Sequence, residues 1–341
     1  MNGRIVNTRT AVLLKPYRLV FEEGQIDLNE VAPDEIVAQT IVSVISPGTE
    51  IGAYEGAPQL RPGAGYPRVV GYCNVASVLA VGNNVKRFKP DDVVLSFQSH
   101  RSAFRCKENS VIMRLPDGAK PEHAASTYLY HLGYHALLRG KMTAGLNVAV
   151  IGLGPLGLTT VSMAAIAGGQ VYAISHRGDA RDKALRLGAK KALGPSDENL
   201  FAMVDKITLG TGIDVVVTTS NTWPDWKLAL KLIRDGGKIV VVGFPGRGQE
   251  PPDFNPLASE YFYYKQLDIM ASGSTPDQDL SAAELRFTIK RNMGYLLDLI
   301  MAGRLNPDEI VTDTASAEEI ETVYKRFVNR EPGLVTAALR W

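Results

Sequence analysis

The sequence is poor in cysteine, with only Cys73 and Cys106 among its 341 residues. Two cysteines are too few for a disulfide framework, and too few for the four-cysteine lobe that holds a structural zinc ion. Such scarcity is typical of a reducing compartment, where disulfides are rare. We therefore expect a cytoplasmic protein.

An excess of charge of either sign is also lacking, because 37 Lys and Arg residues nearly balance 36 Asp and Glu residues. The net charge is +1, and the basic residues are scattered along the chain rather than clustered. Nucleic acids and anionic membrane surfaces attract proteins through concentrated positive charge. We therefore expect neither of them as a partner.

Charged residues are missing altogether from one long segment, 142–175. A segment of this length could span a bilayer. Its six glycines and Pro155, however, divide it into a strand, a turn, a helix and a second strand. We therefore interpret it as a buried βαβ unit. The N-terminus also lacks the apolar core and the cleavage site of a signal peptide, so no secretory signal is expected.

The sequence pattern changes near residue 120. From residue 10 to about 115, short apolar or β-branched runs alternate with turn residues such as those at 47–50. Later, strands and helices alternate, which predicts an α/β fold with a doubly wound parallel sheet. The predicted domains are 1–120, mostly β; 121–275, the parallel sheet; and 276–341, a tail that partly returns to the first domain.

Individual elements of the second half are predicted from periodicity and glycine stop signals. A glycine pair at 236–237 is expected to end one helix, and Gly140 another. Helices are predicted over 121–140, 223–237, 281–302 and 316–329, and a closing strand over 333–341.

A glycine-rich turn, 149–157, follows the first strand of the predicted sheet. The strand before it, the helix after it and a second strand at the right distance are the context of a dinucleotide-binding turn. Gly152 permits the tight turn, Gly154 lets the backbone approach a pyrophosphate, and Gly157 lets the helix pack against the strand. The phosphates would meet backbone N–H groups at the helix N-terminus. The candidate phosphate-binding residues are Gly152, Gly154, Pro155, Leu156 and Gly157.

An acidic residue is lacking where the next strand ends, on Ser175, His176 and Arg177. Chains that bind NAD usually carry Asp or Glu there, which holds the ribose 2′-hydroxyl. A carboxylate would repel the 2′-phosphate of NADP(H), whereas a hydroxyl and a guanidinium would bind it. We therefore predict NADP(H), bound by Ser175 and Arg177 with help from His176 and Arg181. The alternative is that both arginines are ordinary solvated charges.

The order of β domain, glycine turn and short returning tail resembles the medium-chain dehydrogenase/reductase superfamily, which includes zinc alcohol dehydrogenases and quinone oxidoreductases. The resemblance covers nearly the whole chain. It is carried by PGTEIGAYEG (47–56), GYCNVASVLAVG (71–82), RFKPDDVVL (87–95) and IRDGGKIVVVG (233–243), together with the glycine turn.

This resemblance implies a GroES-like first domain, a Rossmann second domain and a homodimer joined through the nucleotide-binding halves. The aromatic run 261–264 or the neighbouring last strand is expected near the dimer contact. The resemblance also implies further cofactor contacts at Asn221, Gly243, Gly273 and Ser274.

The zinc-binding positions of the superfamily are lacking. This chain has Pro47 where zinc members have a ligand cysteine, and Tyr72 and Cys73 where they have a ligand histidine and its neighbouring glutamate. Catalytic zinc needs three well-placed ligands, and proline has no ligand atom. The cysteine-rich structural lobe is missing too. The chain is therefore predicted to bind no zinc and to be similar to zinc-lacking members.

A zinc-free enzyme needs another group to transfer a proton to or from the substrate. Tyr72, in place of the metal-ligating histidine, is the first candidate, His131 is the second, and Tyr54 completes the predicted catalytic set. Tyr72 as plain pocket wall is the alternative. Tyr128, Tyr130 and His135 are further candidates. One of the two histidines, His131 or His135, is expected to be structural, and Cys73 is expected to be a packed thiol.

The leading hypothesis is a zinc-independent, NADP(H)-dependent oxidoreductase that transfers hydride between nicotinamide and a ketone or secondary alcohol. A reductase of conjugated carbon–carbon double bonds is the alternative within enzymes. A non-enzymatic NADPH-binding scaffold or redox sensor is the alternative outside them. Hydride chemistry belongs to the cofactor, so the glycine turn is compatible with all three.

Overall fold

The computed structural model describes residues 5–58, 65–273, 275 and 285–341. The chain divides into two compact units. The first unit extends through Tyr128 and also contains Lys290–Ala302 and Ile310–Trp341, whereas the second contains Leu129–Ile289 and Gly303–Glu309. Two segments of the tail therefore belong to the first unit.

Short strands dominate the first third of the chain, and strands alternate with helices after it. The strands are β1 (Ile5–Lys15), β2 (Arg18–Asp27), β3 (Glu35–Val44), β4 (Arg68–Val69), β5 (Asn74–Val81), β6 (Val93–Ser96), β7 (Ala103–Lys107), β8 (Val111–Arg114), β9 (Asn147–Ile151), β10 (Gln170–Ile174), β11 (Lys191–Leu193), β12 (Ile213–Thr218), β13 (Ile233–Val241), β14 (Asp268–Ala271), β15 (Val311–Ser316) and β16 (Thr336–Arg340). The α-helices are α1 (Pro47–Tyr54), α2 (Pro121–Ala125), α3 (Thr127–Arg139), α4 (Pro155–Ile166), α5 (Gly178–Arg186), α6 (Leu200–Ile207), α7 (Trp223–Leu232), α8 (Ile289–Met301) and α9 (Ile320–Val328).

The first unit contains two sheets, ordered β2-β1-β4 and β15-β16-β3-β5-β6-β8, with β7 also paired to β3. The closing strand β16 runs antiparallel to β3, with Ala338 opposite Val44. This pairing returns the tail to the β-rich unit, as predicted. Leu13, Tyr54 and Tyr324 belong to one buried apolar cluster of this unit.

The second unit is built on one parallel sheet in the order β11-β10-β9-β12-β13-β14. This is the doubly wound order of a dinucleotide-binding fold, with its switch point between β9 and β12. Central strands of such sheets are covered on both faces and are therefore continuously apolar. Val148, Val150, Val215 and Val217 are accordingly buried. The predicted fold class, a β-rich domain plus a parallel-sheet domain, is confirmed.

Three local predictions were wrong. The turn expected at 47–50 is the start of helix α1, because Pro47 occupies the first helical turn, where its missing N–H costs nothing. Helix α7 ends at Leu232 rather than at the glycine pair, because Ile233 pairs with Ile213 as the start of β13. The single helix expected over 121–140 is split into α2 and α3.

The two tail helices lie within their predicted ranges, α8 within 281–302 and α9 within 316–329. Residues 281–284 of the first range lie outside the described residues. In the described ranges, no helix combines the length and the apolar composition needed to cross a membrane.

Candidate cofactor and proton-transfer sites

The glycine turn of the second unit connects β9 to α4. Gly152 has a φ of +91°, and a Cβ added there would lie 2.7 Å from Thr219 Oγ1. A Cβ added to Gly157 would lie 1.9 Å from the carbonyl oxygen of Gly152. Both positions therefore require glycine, for the reasons that the turn predicts.

The N-terminus of α4 is open to an anion. Gly154 is the residue that precedes the helix, no side chain caps it, and an added Cβ would meet no atom within 4 Å. Pro155 lacks an N–H, so Leu156 and Gly157 supply the first backbone amides of a turn that has no helical acceptors. A helix N-terminus of this kind attracts phosphate, which fits the pyrophosphate of a dinucleotide.

The loop after β10 is folded by its own polar side chains. Ser175 Oγ accepts a hydrogen bond from the backbone N–H of Arg177 at 3.2 Å. Arg181 Nη1 donates to the carbonyl oxygens of Ser175, at 2.7 Å, and His176, at 3.3 Å. Arg181 therefore holds the backbone of this loop, a role that the sequence did not predict.

The guanidinium of Arg177 pairs with a carboxylate two residues further along. Its Nε donates to Asp179 Oδ1 at 3.1 Å and its Nη2 donates to Asp179 Oδ2 at 2.5 Å. The side chains of Arg177 and Asp179 are 40% and 34% exposed. This two-pronged ion pair is the geometry in which arginine binds carboxylates and phosphates. Asp179 lies only two residues after Arg177 in the sequence, but its ion pair with Arg177 was not predicted.

A second carboxylate stands at the same edge of the sheet, in the first turn of α7. Asp225 Oδ1 lies 3.8 Å from His176 Nε2, and the histidine ring is 69% exposed. Asp225 Oδ2 accepts a hydrogen bond from Ser220 Oγ at 2.5 Å. The edge that the sequence predicted to be cationic therefore also carries two acids.

Three further predicted cofactor contacts follow strands of this sheet. Asn221 comes after β12, and its carbonyl accepts a hydrogen bond from Gly246 N at 2.7 Å. A Cβ on Gly243 would lie 2.5 Å from the carbonyl oxygen of Thr219, whereas one on Gly273 would meet no atom within 4 Å. Ser274 lies outside the described residues.

His131 and His135 interact with the segment that follows β14. His131 Nε2 lies 3.0 Å from Thr275 Oγ1, and His135 Nδ1 lies 2.9 Å from Ser272 Oγ. Burial, reinforced by His135, lowers the pKa of His131 to about 3. Burial and Arg139 lower the pKa of His135 as well. Both rings are therefore neutral at pH 7 and hold hydrogen bonds rather than charge.

Tyr72 lies among hydroxyl groups in the first unit. Its hydroxyl donates to Ser46 Oγ at 2.5 Å and lies 3.3 Å from Thr49 Oγ1. Its ring packs edge-on against Tyr128, with 5.5 Å between centroids. Burial raises the pKa of Tyr72 well above its ordinary value. The phenol is therefore protonated at neutral pH, which is the state that a proton donor requires.

Tyr54 is surrounded differently, although the sequence placed it in the same candidate set. It is completely buried, and its hydroxyl donates to Glu321 Oε1 at 3.0 Å. Burial and this carboxylate raise the pKa of Tyr54 to about 12. Tyr130 is also completely buried, and burial raises its pKa. Both have the surroundings of core residues.

The donor atoms at the family's zinc positions do not fit a catalytic zinc ion. Pro47 begins α1 and has no ligand atom, and the Tyr72 hydroxyl is engaged with Ser46. Burial, reinforced by Glu50, raises the pKa of the Cys73 thiol, whereas zinc binds the thiolate. Across the described part of the chain, no three His, Cys, Asp or Glu side chains are grouped to hold a metal ion.

A buried network around Glu50 was not predicted. Glu50 is 2% exposed, and its Oε1 accepts the backbone N–H of Ser46 at 2.6 Å. Its Oε2 lies 2.8 Å from His100 Nε2 and accepts the hydroxyl of Tyr324 at 2.5 Å. The Ser46 amide is close to Glu50 in the sequence, but the two side-chain partners, His100 and Tyr324, lie far away.

The network continues beyond His100. His100 Nδ1 lies 2.7 Å from Ser43 Oγ, which accepts the indole N–H of Trp341 at 2.8 Å. A Cβ on Gly71 would lie 2.5 Å from the His100 ring, so only glycine fits beside it. The Glu50 network, defined as Glu50, His100, Tyr324, Ser43, Trp341 and the Ser46 amide, therefore joins β3, α1 and α9.

The doubly wound sheet, with a glycine turn at its switch point, gives the second unit the architecture of a dinucleotide-binding fold. Comparison with known proteins extends this assignment. A family model described as zinc-binding dehydrogenase matches residues 155–287. Sorbitol dehydrogenase of Bacillus subtilis strain 168 is 28% identical over 216 residues, which are 63% of this chain and 56% of that protein. The chain therefore matches little more than half the length of this relative.

Two solved structures share the whole fold. A dehydrogenase from Sinorhizobium meliloti 1021, bound to NADP, has a TM-score of 0.78 and 18% identity, covering 98% of this chain and 100% of its own. An alcohol dehydrogenase from E. coli CFT073, complexed with NADH, has a TM-score of 0.79 and 17% identity, covering 98% and 99%. The family model and the sorbitol dehydrogenase match support the resemblance to the medium-chain dehydrogenase/reductase superfamily, and the solved structures support the fold.

Proposed function

We propose that this chain is a zinc-independent oxidoreductase of the alcohol dehydrogenase type that interconverts a small ketone and a secondary alcohol with NADP(H). One observation carries the proposal: the hydroxyl of Tyr72, at a position where zinc members have a ligand, donates a hydrogen bond to Ser46 Oγ at 2.5 Å. The open glycine turn supports the nicotinamide cofactor. The sorbitol dehydrogenase match supports an alcohol or polyol substrate class.

A ketone that accepts hydride becomes an alkoxide and needs a proton. Nicotinamide, when bound, supplies the hydride. In the proposed reaction, Tyr72 Oη donates the proton to the nascent alkoxide, and Ser46 and Thr49 stabilise the resulting phenolate by donating hydrogen bonds to it. His131 is less suited to this role, because its lowered pKa keeps the ring as neutral imidazole rather than imidazolium at neutral pH.

The fold alone does not choose between the two cofactors, since solved neighbours hold NADP in one case and NADH in another. The choice of NADP(H) is supported by the residues at the end of β10. The Ser175 hydroxyl can donate to a phosphate oxygen, and Arg177 Nη1 lies outside the fork onto Asp179. Both groups favour a 2′-phosphate over a bare ribose hydroxyl.

The test uses Tyr72→Phe, which removes only the proton-donating hydroxyl. We expect kcat for NADPH-dependent ketone reduction to fall about a hundredfold or more, the usual contribution of a general acid. Tyr17→Phe removes the same atom from a tyrosine that is 55% exposed and should leave kcat unchanged. Equal rates for wild type and Tyr72→Phe would contradict the proposed role.

Metal and product analyses separate the alternatives. We expect no stoichiometric zinc in the active enzyme and no loss of activity after chelation. With an enone substrate, an allylic alcohol product supports carbonyl reduction, whereas a saturated ketone would identify a double-bond reductase. Tight NADPH binding without turnover across a broad panel of carbonyls and enones would indicate a scaffold or sensor.

We also propose a cytoplasmic homodimer. Cys73 and Cys106 form no disulfide, which fits a reducing compartment. Strand β14 is an edge of the parallel sheet, and the nearby Tyr263 and Tyr264 are 73% and 74% exposed. An exposed edge with neighbouring aromatic side chains is suited to pairing with a second copy. Light scattering that gives the mass of a monomer would contradict the dimer.

A further inference from the structure

The segment from His176 to Arg181, at the end of β10 and the start of α5, contains three basic side chains with different partners. Arg181 is committed to the carbonyl oxygens of Ser175 and His176. His176 faces Asp225 at 3.8 Å. Arg177 is therefore the main group of this segment for binding a phosphate, and its fork is directed at Asp179.

Two features hold the Asp179 carboxylate in place. Asp179 belongs to the first turn of α5, where the helix dipole stabilises negative charge. The backbone N–H of Arg177 donates to Ser175 Oγ, which fixes the loop that leads into the helix. The carboxylate is therefore already held beside Arg177 before a ligand binds.

We propose that Asp179 sets the cofactor preference by competing with the 2′-phosphate of NADP(H) for Arg177. This inference rests on the proposed function, because it concerns the same cofactor site. A phosphate that takes the Nε–Nη2 fork must displace the Asp179 carboxylate, and one that takes the Nη1 side remains close to its negative charge. Either way, Asp179 weakens NADPH binding and leaves the binding of NADH, which lacks the phosphate, nearly unaffected.

The proposal makes the site tolerant of both cofactors. Arg177 alone would favour NADPH, while a carboxylate at the position of Ser175 would favour NADH. The ion pair of Arg177 with Asp179 gives a cofactor preference between these two extremes. An opposite role for Asp179 is that it replaces the missing acid and accepts a hydrogen bond from the ribose 2′-hydroxyl. In that case its removal would weaken NADH instead.

The experiment compares Asp179→Asn with Asp182→Asn, which removes the same charge from an exposed position on the same helix. Each cofactor is titrated by fluorescence quenching, at low salt and again at 0.5 M salt. We expect Asp179→Asn to tighten NADPH about fivefold at low salt, the upper range for a partly exposed ion pair. The gain should shrink at high salt. NADH binding should change less than about twofold, and Asp182→Asn should change neither cofactor by more than that.

A double-mutant cycle tests whether the effect passes through Arg177. In an Arg177→Ala background, Asp179→Asn should no longer tighten NADPH. Three results would overturn the proposal: unchanged NADPH affinity in Asp179→Asn, equal tightening of both cofactors, or a selective loss of NADH. Circular dichroism and thermal melting confirm that each variant is folded.

Failure of the proposed function is recognised separately. If wild type binds neither cofactor, the proposed oxidoreductase is wrong and no cofactor preference exists to be tuned. If Arg177→Ala leaves NADPH affinity unchanged, Arg177 does not bind the phosphate, and the competition is overturned with it. The inference about Asp179 is supported only when wild type binds NADPH, Arg177→Ala weakens it and Asp179→Asn strengthens it.

Discussion

The Glu50 network of the first unit and the segment from Ser175 to Arg181 of the second both contain ionisable side chains, but in opposite surroundings. Glu50 and His100 are 2% and 0% exposed, and the partners of Glu50 lie 50 and 274 residues away in the sequence. Arg177 and Asp179 are 40% and 34% exposed and two residues apart. Buried polar groups cost most when a partner is lost, whereas water and salt weaken exposed pairs. The network is therefore suited to stabilising the fold. Arg177, in contrast, is suited to exchanging its partner Asp179 for a ligand.

Removing the Glu50 carboxylate is the strongest way to test this contrast. In Glu50→Ala, we expect the free energy of unfolding to fall by about 3 kcal/mol or more. The reason is that His100, Tyr324 and the Ser46 amide each lose a buried partner. Urea unfolding followed by circular dichroism measures the change.

Two control variants remove exposed carboxylates. Glu55→Ala acts at the end of the same helix, and Asp179→Ala acts in the first turn of α5. Each should change the free energy of unfolding by less than about 0.5 kcal/mol. A Glu50→Ala variant as stable as these two would show that the network does not hold β3, α1 and α9 together.

The glycine turn sharpens the comparison within the second unit, because two of its glycines have opposite surroundings. In Gly157→Ala, we expect the free energy of unfolding to fall by about 2 kcal/mol, since the new Cβ would lie 1.9 Å from the Gly152 carbonyl oxygen. Helix propensity alone would favour alanine by about 1 kcal/mol, so any loss reports the clash. Thermal and urea unfolding measure it.

Gly154→Ala is the matched control, because its Cβ would meet no protein atom within 4 Å. Its stability should stay within about 0.5 kcal/mol of wild type. NADPH binding should nevertheless weaken, since the new methyl group would occupy the space that a pyrophosphate approaches. If Gly154→Ala bound NADPH as tightly as wild type, the proposed phosphate position would be wrong.

The histidine pair lies in the second unit but is buried. It therefore tests whether burial, rather than the unit in which a residue lies, determines how much an ionisable group affects the free energy of unfolding. The pKa of His131 falls from its ordinary 6.5 to about 3 in the folded protein. The unfolded chain therefore binds a proton that the folded chain does not, and stability decreases as pH falls from about 6.5 towards 3. This residue contributes a slope of up to about 1.4 kcal/mol per pH unit over that window.

In His131→Gln, the free energy of unfolding should decrease less steeply between pH 7 and 4 than in wild type. Urea unfolding at a series of pH values provides both curves. Parallel curves for wild type and His131→Gln would show that His131 is not buried in its neutral form.

The features predicted from the sequence are those with local signals. The glycine turn and the strand that follows it lie within one continuous segment, so spacing and periodicity were sufficient to place them. The same holds for Ser175 and Arg177, which were expected at the end of β10 and lie there. The fold class follows from the alternation of such segments.

The features missed are those that depend on partners elsewhere. Nothing near Glu50 in the sequence indicates His100 or Tyr324, which reach it only after the sheets and α9 are assembled. The end of α7 was missed for a similar reason, because pairing with Ile213 converts Ile233 from helix to strand. Asp179 is the exception: it lies two residues from Arg177, but sequence alone does not show which way a side chain points.

The return of the tail to the first unit determines the order in which the two units can be completed during synthesis. All six strands of the parallel sheet lie between Asn147 and Ala271, so the ribosome has made the whole sheet once residue 271 is added. Strand β3 of the first unit must wait for β16, which ends at Arg340. The unit that begins the chain is therefore the last to receive all its strands, and until then one edge of β3 lacks its neighbour.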